Sequence, residues 1–130
     1  MIRLATILGL LWLVRPVSAE PLPEAAAVRA IIGEAANQGY RGMLAVAGAI
    51  RNRGSLQGVY GARSPMVDRQ PDWVWRQARA AWQASATNDI TGGATYWENI
   101  KAFGQPVWAS SLQLTVTIKD HQFFRLPASH

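Results

Sequence analysis

Glu34 is the residue whose type and placement point most directly to chemistry. It lies near the end of a stretch with helical apolar spacing, about 120° around from the centre of the apolar face, where core meets solvent. The carbonyl end of a helix and partial burial both favour a carboxyl group that keeps its proton, the form a general acid needs. An ordinary exposed glutamate would satisfy the same position, so spacing alone leaves both readings open. Other chemistries are thinly supplied. Cysteine is absent, which excludes a thiol nucleophile, a disulfide framework and a lipid-modified cysteine. His121 and His130 are the two imidazoles, and a zinc site would have to recruit several carboxylates with no recognisable ligand spacing. Neither a metal nor another cofactor is expected.

The elements that must carry Glu34 follow from periodicity. After the extended Glu-Pro-Leu-Pro lead at 20–23, a helix is predicted from Glu24 to Asn37, with Val28, Ile31, Ile32 and Ala35 on one face and Gly39 suited to its stop. A second runs from about Arg41 to Arg53, with Met43, Val46, Ala47 and Ile50 on a face and Gly54 just past its end. Ala45, Gly48 and Ala49 keep it thin, so the two should pack closely as a hairpin. Residues 54–70, rich in Gly, Ser and Pro, predict a long surface loop. A third helix begins at Pro71-Asp72 and ends near Ala86, with Val74, Trp75, Ala78, Ala81 and Trp82 as its core stripe. Beyond the turn-rich 87–93, Ala94–Asn99 and the alternating Leu112–Ile118 read as two strands that could pair as an antiparallel ribbon. The expected fold class is α+β, mainly helical, in a single domain over residues 20–130.

Residues 1–19 read as a signal peptide. Arg3 precedes the apolar run Leu4–Val14, and Val17-Ser18-Ala19 forms a small-residue cleavage site before Glu20. That run is shorter than the roughly 20 residues a membrane-spanning helix needs, so no stable insertion is expected after cleavage. The expected location is outside the cytoplasm, periplasmic or secreted. The chain has 13 Lys plus Arg against 8 Asp plus Glu. It stays basic after Arg3 and Arg15 leave, which attracts polyanions without choosing among them. Export favours an anionic wall or membrane surface over nucleic acid, for which no motif is visible.

Three ordered segments carry a family resemblance. Ile32-Gly33-Glu34-Ala35, with Gly39-Tyr40-Arg41-Gly42-Met43 through Ala47 and Ile50-Arg51-Asn52-Arg53, resembles the opening of the cell wall hydrolase family typified by the spore-cortex-lytic enzyme SleB. Thr91-Gly92-Gly93-Ala94-Thr95-Tyr96-Trp97-Glu98-Asn99 is similar to its glycine-rich turn and aromatic strand, and Ile118–Phe124 to its closing strand. The resemblance implies a lysozyme-like, lytic-transglycosylase-type domain acting on peptidoglycan glycan strands, with Glu34 as the catalytic carboxyl group. It departs from the family between Gly54 and Trp73, where longer members carry extra sequence and Gly58-Val59-Tyr60-Gly61 is the recognisable piece; Tyr60 is taken from it as a sugar contact.

Tyr96 and Asn99 are the other expected cleft residues, because aromatic faces and amides suit the two sides of a pyranose. Tyr96 and Trp97 must face opposite ways on a strand, and Trp97 is the stronger candidate for the core. His121 either orients substrate or holds its strand near Glu34. Phe123 and Phe124 divide into one core and one boundary residue. Asp89, Glu98 and Asp120 are the candidates for a second carboxylate, and nothing in the spacing sets any of them opposite Glu34. A hydrolytic muramidase and a catalytically silent glycan-binding or accessory module are the competing functions.

Overall fold

Two glycines bracket the central helix. A computed structural model describes residues 21–128; the leader expected over 1–19 and His130 lie outside them. Helix α1 (Glu24–Ala35) turns at Gly39, whose φ of 70° opens α2 (Gly39–Arg53), and Gly54, at φ 71°, ends α2 by donating its N–H to the Ile50 carbonyl at 2.9 Å. Every residue from Gly42 to Ile50 is buried, so α2 is enclosed on all sides where a one-faced helix was expected. Its small side chains allow this, since α1, α4 (Asp72–Ala84) and the sheet can all close on it. The α4 stripe is as the spacing predicts: Val74, Ala78, Ala81 and Trp82 are buried and Trp75 packs against them.

Residues 54–70 are not a plain surface loop. They contain a 3-10 turn, Tyr60–Arg63, and a short helix α3 (Pro65–Asp68) started by Ser64, whose hydroxyl accepts from the Met66 N–H. Val59 and Val67 anchor the segment in the core, and Arg29 of α1 clasps it through Asp68 at 2.7 Å and the Ala62 carbonyl at 3.3 Å. Without long-range partners in view, a stretch dense in glycine gives no periodic sign of such anchoring.

The predicted two-strand ribbon is also corrected. Strand β3 (His121–Arg125) lies between β1 (Tyr96–Asn99) and β2 (Gln113–Ile118), antiparallel to both, so the two expected neighbours never pair. Lys119, at φ 56°, and Asp120 form a tight turn that makes β2–β3 a local hairpin. Phe123 and Phe124 are both buried, not one core and one boundary. Phe123 joins the main core, while Phe124 meets Tyr96, Ala109 and Trp108 on the other face of the sheet, under the 3-10 turn Val107–Ser111.

Two polar clamps hold the sheet to the helices. Gln38, in the α1–α2 turn, donates to Asp120 Oδ2 at 3.0 Å and accepts the Asp120 N–H at 3.1 Å. Asp89 accepts from the Thr91 N–H and hydroxyl, the Gly93 N–H and the Asn52 amide of α2. Burial pushes the Asp89 carboxyl upward, but these donors, Thr91 and Asn52 foremost, outweigh it and hold the group below the usual carboxylate range. A depressed folded value means the clamp stabilises fully above the unfolded value near pH 4 and is lost as pH falls through the folded one. Asp89→Asn is expected to lower the melting temperature at pH 7 by about 5 °C, on the order of 1 kcal/mol for a solvent-screened group. The difference from wild type should shrink toward pH 2. Melting curves at both pH values check this, and a pH-independent gap would mean the carboxylate charge is not what holds the turn.

Candidate active site

Glu34 is the next-to-last residue of α1, and the residue before it decides what can approach. Gly33 offers no side chain, so the Tyr60–Arg63 turn lies backbone against backbone on the helix end. A Cβ on Gly33 would run into the Gly61 carbonyl, and one on Gly61 would run into the Glu34 carboxyl group. This close crossing brings the Gly61 N–H to Glu34 Oε2 at 3.2 Å. From the sheet, Trp97 Nε1 donates to Glu34 Oε1 at 3.0 Å. Both carboxyl oxygens are therefore oriented by N–H donors, one from backbone and one from an indole.

Arg53, at the end of α2, lies behind this pair. It is 6% exposed, its guanidinium carbon sits 5.6 Å from the centre of the Trp97 ring, and Nη2 donates to the Gln57 carbonyl at 2.8 Å. Burial pushes the Arg53 guanidinium down to about 10, with the Tyr96 hydroxyl and Glu34 pulling the other way, so it stays charged at neutral pH. Burial likewise raises Tyr96, against the opposing charge of Arg53.

In front of Glu34 opens a cleft of about 370 Å³. Glu34 of α1 and Asn37 just beyond it form one wall, Met66 of α3 and Gln70 after it a second, and Asn99 and Phe103 the wall from β1 and the short helix α5 (Ile100–Phe103). Asn99 also caps α5, accepting the Ala102 N–H at 2.9 Å, which leaves its amide nitrogen as a donor toward a ligand. Three amides among apolar side chains suit a neutral, hydroxyl-rich ligand, and a volume within roughly 300–1,000 Å³ is that of a small-molecule subsite. Among the described residues no three His, Cys, Asp or Glu side chains converge as metal ligands would.

Of the residues expected in the cleft, Glu34 and Asn99 line it and the others do not. Tyr96 is 3% exposed and packs with Trp108 and Phe124 on the opposite face of the sheet from Trp97 and Asn99. Strand alternation separates positions 96 and 99, so both could not line one cleft. His121 is buried on β3 opposite Asn99. Tyr60 is half-buried with Arg63 over its ring and is not among the cleft-lining residues, although its neighbour Gly61 holds Glu34. Trp97, assigned to the core, is both: it packs there and reaches Glu34 through its indole nitrogen. Its sharing a face with Asn99 was the available signal. Gly61 acts through backbone alone and gave none. Of the second-carboxylate candidates, Asp89 and Asp120 are engaged in the two clamps and Glu98 is buried on the Tyr96 face, so Glu34 is the one carboxyl lining this cleft among the described residues.

No protein-family model matches the chain, and neither does any curated protein. Solved structures do. The catalytic domain of the germination-specific lytic transglycosylase SleB from Bacillus anthracis superposes with a TM-score of 0.59 at 24% identity, covering 78% of this chain and 93% of that one. The catalytic domain of the Bacillus cereus SleB protein does so with a TM-score of 0.61 at 24% identity, covering 84% and 95%. The chain thus has the fold of these domains over most of its length, mainly helical with a small antiparallel sheet, as the sequence leads one to expect.

Proposed function

We propose that this chain is a peptidoglycan-cleaving glycosidase of the SleB type, with Glu34 as its acid and then its base. The observation that carries the reading is a carboxyl group oriented by the Trp97 and Gly61 N–H donors at the wall of an amide-lined cleft. Support also comes from the fold shared with two SleB catalytic domains and from the segment around Glu34. In this mechanism the Glu34 carboxyl protonates the oxygen between N-acetylmuramic acid and N-acetylglucosamine. The resulting carboxylate takes the proton of the muramyl 6-hydroxyl as that oxygen attacks the anomeric carbon. One enzyme carboxyl suffices, because the nucleophile belongs to the sugar.

A hydrolytic enzyme would usually place a second carboxyl about 5–9.5 Å away across the scissile bond. The commitments of Asp89, Asp120 and Glu98 described above favour the transglycosylase over the muramidase. Mass spectrometry of released muropeptides tests this, with 1,6-anhydromuramyl ends as the expected product and no loss resembling that of Glu34 in Asp89→Asn, Glu98→Gln or Asp120→Asn. Reducing ends together with a second indispensable carboxylate would replace this reading with the muramidase. The reading goes with export and cleavage after Ala19; N-terminal sequencing of the mature protein should begin at Glu20, and an intact Met1 would count against it.

A further inference from the structure

Arg53 has no part in the proton transfers just described, yet it is one of the few charged side chains buried among the described residues. Guanidinium groups are rarely buried unless partners hold them, so the position calls for a physical account. The Gln57 carbonyl fixes one nitrogen at 2.8 Å, and the cation stands 5.6 Å over the face of the Trp97 ring, within the range at which an aromatic face attracts it. The same ring presents its Nε1 edge to Glu34 at 3.0 Å. A cation over an indole draws electron density from the ring and leaves its N–H a stronger donor. The three groups therefore form a series, cation to ring face and ring edge to carboxyl.

We propose that Arg53 is a positioning residue, whose buried cation fixes the Trp97 indole in the orientation that holds Glu34 toward the cleft. The inference rests on Glu34 being the acid/base group, but the contact it describes exists with or without catalysis. A second role is open to Arg53, since a basic group in the last turn of α2 also offsets the helix's terminal carbonyls. That role would not pass through Trp97, and the two are separable.

The test uses ¹⁵N-labelled protein and kinetics on the same variants. The Trp97 indole N–H resonance, identified by its loss in Trp97→Phe, should leave its hydrogen-bonded position in Arg53→Met and exchange faster with solvent, with Arg53→Lys intermediate. On peptidoglycan, Arg53→Met should lower kcat on the order of 10- to 100-fold, the scale of a misplaced catalytic group, with KM little changed. In the Trp97→Phe background the same substitution should cost clearly less than it does alone, leaving only what the direct attraction between Arg53 and Glu34 contributes. An unmoved indole resonance in folded Arg53→Met, or losses that simply multiply, would overturn the proposal. If that variant does not fold, Arg53→Gln, which can keep the bond to Gln57 without the charge, carries the same test with the same outcomes. Should Glu34→Gln retain activity while the resonance still answers to Arg53, the catalytic reading fails and the positioning contact stands.

Discussion

Glu34→Gln is expected to abolish solubilisation of peptidoglycan while the circular dichroism spectrum stays that of the wild type. The amide has the same shape but no proton to deliver to a leaving oxygen. General acid/base groups contribute roughly 10²- to 10⁴-fold, and activity should fall by at least that much. The melting transition should move only slightly. The amide can turn its oxygen to the Trp97 Nε1 at 3.0 Å and leave its NH₂ against the looser Gly61 N–H at 3.2 Å, a loss on the order of 1 kcal/mol. Turnover and melting are therefore expected to separate in this variant, and turnover near wild type would remove Glu34 from the mechanism.

Gly33→Ala should damage both stability and turnover, against what helix propensity alone says. In a helix interior the change would ordinarily stabilise by about 1 kcal/mol. Here the new Cβ overlaps the Gly61 carbonyl and lies 2.8 Å from the Ala62 nitrogen, atoms of a backbone that has no rotamer with which to yield. The turn must move away, taking the Gly61 N–H off Glu34. We expect a net loss of about 1–3 kcal/mol and a fall in kcat/KM on the order of 10²-fold. Thermal melts and initial rates on isolated peptidoglycan decide the sign; a more stable and fully active Gly33→Ala would show that the crossing does not hold the carboxyl group.

The elements that periodicity describes were legible, and those that depend on distant partners were not. Val28, Ile31, Ile32 and Ala35 mark α1, and Val74, Ala78, Ala81 and Trp82 mark α4, because each helix shows the core one face. The strand order was hidden because His121, Phe123 and Phe124 are buried on both sides of a central strand, where alternation carries no sign of which neighbour lies where. In the site, helix-end position alone left Glu34 open between a catalytic and an ordinary glutamate, and the family resemblance of its segment decided the reading, as the segment did for Asn99. Trp97 was read as core because packing and function coincide in one side chain, and choosing between the faces of β1 needs the sheet's placement on α2. Gly33 contributes an absence of atoms and Gly61 a backbone N–H that any residue type carries, and Arg53 looks in sequence like any basic residue closing a helix.

The two donors that orient Glu34 lie 27 and 63 residues farther along the chain. Neither can be recruited until long loops have closed, so the arrangement around Glu34 belongs to the finished fold and to no helix hairpin formed on the way. On the reading proposed above, a chain still being threaded outward would carry Glu34 from an early stage of synthesis without Trp97 and the 60–63 turn to orient it, so cleavage would have to wait for the completed topology.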